Sequence, residues 1–181
     1  VIAYGKLGGK ELGYASDLDL VFLYDAPIND QSAQEVFSIL GKRMINWLTT
    51  LTPAGTLFEI DTRLRPNGAA GFLVTSLDSF RRYQLREGDN TAWVWEHQAI
   101  SRARFAAGNP AVGKRFEEIR NEVLSQERKM NELQHEIIDM RHKVHAGHLN
   151  HSSEFDLKHD PGGMVDIEFM VQFFVLAFAR Q

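Results

Sequence analysis

The run Leu18-Asp19-Leu20-Val21-Phe22-Leu23-Tyr24 constrains this chain more than any other stretch. Beyond its first residues it is apolar on both faces. A strand with no polar face must be covered on both sides, so the run predicts a central strand inside a layered structure of helices and sheet. Asp25, Pro27 and Asn29 are expected to end it, and Val1 to Tyr4 reads as a second short buried strand. A helix over about 32–48 is predicted to pack on the sheet, because Val36, Phe37, Leu40, Met44, Trp47 and Leu48 recur at helical spacing. Thr52, Pro53 and Gly55 predict a turn, and the alternation from Thr56 to Leu64 predicts another strand. Helices are expected from near Ser76 and around Trp93, Trp95, Ile100 and Phe105, and beyond Pro110 the pattern is wholly helical. The fold class is α+β, a small mixed sheet flanked by helices over 1–108, followed by a helical subdomain over 109–181.

Composition narrows the function classes. With 181 residues, 44% hydrophobic and 24% charged, the chain can build a core, which excludes disorder and fibrous coiled coils. It has no cysteine, which removes disulfide frameworks, thiolate nucleophiles and cysteine-held zinc, in keeping with a cytoplasmic location. A formal charge of -4 is a poor match for gripping a nucleic-acid backbone, so no nucleic-acid partner is expected. The apolar run from Phe169 to Ala179 is interrupted by Gln172 and falls short of the ~20 residues of a membrane span, so no membrane association is expected either. Val1 to Tyr4 is apolar with no basic residues before it and no small-residue cleavage site behind it, so no signal peptide is expected. A chain that opens on a strand and ends in an apolar helix is expected to be a piece of something longer.

The informative chemistry is Ser16-Asp17-Leu18-Asp19-Leu20. In a strand, acids at i and i+2 share one face while the leucines point away. Two carboxylates at the start of a buried strand repel each other and lose hydration, and cations must offset that cost. Hard oxygen ligands without Cys or a His pair favour Mg2+, which usually arrives with substrate phosphates. The alternative is a pair of acids at the solvated strand end, bonded to nearby amides. Gly8 and Gly9, flanked by Lys6 and Lys10, add a backbone able to approach phosphate next to the acids. Asp61, on the other predicted strand beside Arg63 and Arg65, supplies a third carboxylate. Three acids and a phosphate loop outline a two-metal phosphoryl or nucleotidyl transfer centre.

These residues resemble a known family. The Gly-Gly, Asp-x-Asp and distant Asp arrangement resembles the nucleotidyltransferase fold shared with DNA polymerase beta. More specifically, GKLGGKELGYASDLDLVFLYD, DTRLRPNGAAGFLVTS, WEHQAISRAR and GGMVDIEFMVQ are similar in order and spacing to bacterial glutamine synthetase adenylyltransferase. That family carries two related domains, one attaching AMP to a tyrosine of glutamine synthetase and one removing it by phosphorolysis. The wording here is more similar to the carboxyl-terminal, AMP-attaching domain. The resemblance implies that 1–108 is a catalytic domain using ATP and Mg2+. It implies that Asp17, Asp19 and Asp61 bind metal and carry catalysis, with Asp61 helping to deprotonate the tyrosine. It also implies nucleotide contacts from Lys6, Gly8, Gly9, Lys10, Ser16, Arg63 and Arg65, although the two arginines read equally well as ion-pair partners. Gly9 stands where many members of the wider superfamily have Ser, so backbone amides are expected to replace one hydroxyl. Glutamine synthetase is the implied protein substrate, with glutamine and a PII signalling protein as regulators. The alternatives are the AMP-removing domain, or a regulatory module binding glutamine or PII.

Weaker signals remain. Trp95, Gln98 and Arg102 on one helical face, with Glu96 and Arg104 nearby, read as core or as a cleft lining. Asp166 and Glu168 read as helix-start acids. His142, His145, His148 and His151 read as a solvated helix end rather than a metal site.

Overall fold

The computed structural model describes residues 1–27 and 30–180; Asn29, expected to help end the central strand, lies outside the described residues. The chain is mixed α and β and divides into two compact units. One comprises Val1–Ala92 and Arg102–Asn121; the other comprises Trp93–Ser101 and the residues from Glu122 onward.

The first unit is built on β2 (Leu18–Tyr24), buried at every position except Asp19. β1 (Ile2–Ala3) pairs antiparallel with one edge of β2, Ile2 opposite Val21 and Ala3 opposite Leu20. On its far side β1 pairs with β7 (Arg104–Phe105). Two short strands share the other edge of β2, both parallel to it. β5 (Ile60–Asp61) aligns Leu18 with Ile60 and Asp19 with Asp61, and β6 (Val74–Ser76) aligns Phe22 with Val74 through Tyr24 with Ser76. Among the described residues this is a five-stranded mixed sheet. The strand expected over Thr56 to Leu64 shrinks to Ile60–Asp61. Its first residues join the hairpin of β3 (Leu51–Thr52) and β4 (Gly55–Thr56), and its last enter a loop that Arg65 folds.

Leu18, Leu20, Phe22 and Tyr24 form one core face with Val74, and Met44, Ile45, Phe58 and Leu73 pack against it. Burying a side chain of this size contributes about 1.5–3 kcal/mol. Helix α2 (Gln31–Thr49) starts where the Asp30 carboxylate accepts the Ala33 N–H at 2.9 Å. The helix lies close to β6: a Cβ on Gly41 would stand 3.5 Å from Leu73 and Val74. Its buried face therefore runs through Gly41, Met44, Ile45 and Leu48, and the expected face is corrected, since Val36, Phe37, Leu40 and Trp47 are exposed. A small residue allows close approach, and that close approach fixes which face turns inward. Ser76 ends β6 and caps α3 (Leu77–Gln84), as the helix start predicted, by accepting the Ser79 N–H at 3.2 Å. α1 is the single turn Gly5–Gly8. α5 (Pro110–Leu124) contributes its residues as far as Asn121 to this unit, with Phe116 fully buried beside Phe80.

In the second unit α4 (Val94–Ile100), α6 (Met130–Ala146) and α7 (Met164–Phe178) pack on one another. Helix α4 stops at Ile100; Phe105, expected within it, belongs to β7 because its partner strand β1 outweighs local helical spacing. Gln98 is buried and donates to Gln172 at 2.9 Å, and buried His97 meets Arg128 through Nδ1 at 3.0 Å. Asp166 accepts the Gly162 N–H at 2.6 Å and pairs with Arg141, the capping arrangement expected of a helix-start acid. His148 stacks on His159 with ring centroids 4.5 Å apart.

Candidate active site

Strand register assembles the acids. Asp17 immediately precedes β2 and Asp19 is its second residue, and the parallel pairing sets Asp61 opposite Asp19 at the usual strand spacing of about 4.8 Å. One carboxylate oxygen of each of the three lies within 4.8 Å of the others. Among the described residues they are the only such group of potential metal ligands. The cluster is closed on one side by α1. Tyr4 N–H donates to the Asp19 carbonyl at 2.9 Å, which carries Gly5 onto the Asp19 side chain. Gly5 adopts φ +48°, and a Cβ there would collide with the carboxylate.

The three acids are not equivalent. Burial pushes the Asp19 carboxyl up to about 6, reinforced by the charges of Asp17 and Asp61 and opposed by Arg63 and Lys6. Asp61 moves the other way. The Arg63 side chain donates to it through Nε at 2.8 and 3.1 Å and through Nη2 at 2.5 Å, and the Arg63 N–H adds a bond at 2.7 Å. Those bonds hold its pKa below the ordinary carboxylate value. A lowered pKa suits a ligand and weakens a proton acceptor, so the base role expected of Asp61 runs against its surroundings in this state.

The donor set fits a hard divalent cation. It offers oxygen atoms only, and the charge it concentrates is left incompletely compensated at Asp19.

The flanking residues divide by what they bond. Arg63 is the partner of Asp61. Arg65 instead closes its own loop, donating to the Thr62 carbonyl and hydroxyl at 2.8 Å each and to the Gly71 and Ala69 carbonyls at 3.2 Å. Ser16 Oγ accepts the Gly13 N–H at 3.0 Å and shapes the approach to Asp17. Lys6 and Lys10 are exposed on the glycine turn, Lys10 at φ 60°. Gly8 is buried where a Cβ would meet the carbonyls of Ala3 and Arg102. Its N–H and those of Gly9, Lys10 and Glu11 all donate to carbonyls within the turn, at 2.7 to 3.3 Å. The amides expected to serve phosphate are therefore engaged in the structure as it stands.

Helical spacing puts Arg104 near a helical face as core or cleft lining, but it lies in β7 and donates to the Leu7 carbonyl at 2.9 Å and the Gly8 carbonyl at 3.1 Å. Only strand pairing brings it there.

A small mixed sheet flanked by helices, with the acids at the start of its central strand joined by a third from the neighbouring strand, is a nucleotidyltransferase-like α+β fold. A model of the GlnE family, glutamate-ammonia ligase adenylyltransferase, matches residues 1–119. The chain belongs to that family. It is 65% identical over 99% of its length to the bifunctional glutamine synthetase adenylyltransferase/adenylyl-removing enzyme of Burkholderia pseudomallei. It is 62% identical over 97% to the enzyme of the same name from Ralstonia nicotianae, and 52% over 100% to that of Neisseria meningitidis. It spans 19%, 18% and 19% of those relatives respectively, about a fifth of their length.

Proposed function

We propose that this chain is the AMP-attaching catalytic part of a glutamine synthetase adenylyltransferase, transferring AMP from ATP to a tyrosine hydroxyl of glutamine synthetase. The observation that carries the reading is the convergence of Asp17, Asp19 and Asp61 on one spot beside the glycine turn, in a chain whose relatives bear that enzyme's name.

In the reaction the tyrosine oxygen forms a bond to the α-phosphorus, the bond from that phosphorus to the oxygen bridging to the β-phosphate breaks, and pyrophosphate leaves with the electron pair. Asp17, Asp19 and Asp61 would hold Mg2+, which when bound supplies charge neutralisation for the triphosphate and polarisation of the attacking oxygen. Asp61 is the proposed acceptor of the phenol proton, a role that requires Arg63 to let go of it. The unperturbed tyrosine pKa of about 10 makes such assistance necessary near neutral pH. Gly8, Gly9, Lys6, Lys10 and Ser16 bound the proposed triphosphate site, and Lys6 already lowers the Asp19 pKa through its charge. Arg65 orders the loop that follows Asp61.

Residues 1–108 are proposed as the catalytic domain and 109–181 as the start of a helical bundle, acting in the cytoplasm. Glutamine and a PII protein are proposed as regulators of the whole enzyme, on the strength of the family resemblance. No helix among the described residues is long and apolar enough to cross a membrane.

The test is to incubate the full-length protein with glutamine synthetase and ATP labelled in the α-phosphate. Label should pass to the partner and vanish with Asp17→Asn; labelling that survives the substitution would remove the metal site. The relatives' name also covers removal of AMP. Supplying phosphate and adenylylated partner and detecting ADP would favour that second reading.

A further inference from the structure

At the glycine turn the backbone donors are already used. The N–H groups of Gly8, Gly9, Lys10 and Glu11 are bonded to the carbonyls of Tyr4, Gly5, Leu7 and Lys6. A polyphosphate held at residues 8–11 must therefore take its hydrogen bonds from side chains. An ion pair lies against the outer glycine. Oε1 of Glu11 lies 2.6 Å, and Nη2 and Nε of Arg102 lie 2.8 and 3.2 Å, from where a Cβ on Gly9 would stand, so the Glu11–Arg102 pair together fills the volume that any side chain at position 9 would claim. The Arg102 carbonyl likewise lies against Gly8. Arg102 thus lies against both glycines, with Glu11 at Gly9 and with the Ala3 carbonyl at Gly8, and Arg104 fixes the turn through Leu7 and Gly8.

The Arg102 guanidinium pairs with Glu11, whose side chain is 54% exposed while that of Arg102 is 24% exposed. The other end of the same helical turn carries Gly5 against the Asp19 carboxylate. Four residues of helix rise about 6 Å. Acid cluster and guanidinium therefore flank a single turn, a separation suited to a ligand that is attacked at one end and anchored at the other.

We propose that Arg102 binds the terminal phosphates of the nucleotide, and that Glu11 is the counter-ion holding it until they arrive. The proposal rests on the adenylyl-transfer reading above. Exchanging a carboxylate for a phosphate keeps the guanidinium paired, and its planar fork matches two phosphate oxygens at once. Because the terminal phosphates depart as pyrophosphate, the same contact stabilises the leaving group. Arg102 thereby distinguishes ATP from AMP.

The test measures binding of ATP and of AMP, each with Mg2+, to the full-length protein by calorimetry. Arg102→Ala should weaken ATP by about tenfold or more and leave AMP within about twofold, because only ATP reaches the guanidinium. Arg102→Lys should recover part of the loss. Glu11→Gln should tighten ATP several-fold by removing the competing carboxylate, and this variant carries the test if Arg102→Ala does not fold. Unchanged ATP binding in Arg102→Ala, equal losses for ATP and AMP, or weaker ATP binding in Glu11→Gln would each overturn the assignment. If the unaltered protein binds neither nucleotide, the adenylyl-transfer reading falls; if it binds ATP and Arg102→Ala binds it equally well, only the role of Arg102 falls.

Discussion

Asp19 and Asp61 stand opposite each other in the parallel register of β2 and β5, yet their acidities diverge. Asp19 is raised to about 6 by burial beneath Gly5, and Asp61 is lowered by the side chain of Arg63. The surroundings of each carboxyl outside the two strands, not the register, set the difference.

Replacing Asp19 by Asn should separate stability from activity. At neutral pH the folded protein carries a carboxylate that its surroundings disfavour, so without divalent cations Asp19→Asn should be more stable by about 1 kcal/mol, after discounting the shift for solvent screening. AMP transfer should fall by at least about a hundredfold. Thermal melts in chelator and a labelling assay check the two halves; a destabilised variant would contradict the assigned strain.

Metal affinity should depend on pH. A cation binding at the cluster displaces the proton of Asp19, so affinity for Mg2+ or Mn2+ should rise about tenfold from about pH 5 to about pH 7. Stability of the metal-free protein should move oppositely. The folded pKa exceeds the unfolded one, so the native state holds more protons between about pH 4 and pH 6, and stability falls as pH rises through that window. Titration calorimetry and denaturant melts at several pH values would reveal a flat response if Asp19 were not the group responsible.

Arg63 competes with a metal ion for Asp61. Arg63→Gln removes its charge and its hydrogen bonds to the carboxylate, so Asp61 moves back toward its ordinary pKa while the local potential becomes more negative. Divalent affinity of the nucleotide-free protein should increase several-fold, a modest gain because the Arg63 side chain is exposed and its charge is screened by solvent. Weaker cation binding would show that Arg63 positions Asp61 instead of blocking it.

Two glycines should respond with opposite sign to the same change. Gly41→Ala gains helix propensity and puts its methyl at ordinary contact distance from Leu73 and Val74, so stability should rise by about 0.5–1 kcal/mol. Gly8→Ala drives a methyl into the backbone carbonyls of Ala3 and Arg102 and should cost about 2 kcal/mol or more. Chemical denaturation of both variants checks the contrast.

Much of this was legible in the residues. Leu18–Tyr24 announced itself as a buried strand because beyond Asp19 both of its faces are apolar, and such a run has few alternatives. The Asp17 and Asp19 pair, and its meeting with Asp61, followed from strand periodicity. What could not be read was set by contacts distant in sequence. Val74–Ser76 and Arg104–Phe105 are too short to carry a period and become strands only by pairing with β2 and β1. The helix over Gln31–Thr49 was evident, and Met44 and Leu48 of its expected face turn inward, but that face is centred on the side where Gly41 allows the closest approach, which leaves Val36, Leu40 and Trp47 exposed. Helical spacing sets Arg102 on one face with Trp95 and Gln98, and Arg104 nearby, but the helix ends at Ile100, so their relation to the glycine turn is hidden in the sequence.

The bonds from Arg104 to the carbonyls of Leu7 and Gly8 have a consequence for how the molecule is made. Segments near the start of this stretch emerge first from the ribosome, yet the brace that secures them is synthesised only much later. The proposed nucleotide pocket is therefore complete only once β7 has been synthesised, and a nascent chain halted before β7 should expose an unbraced turn.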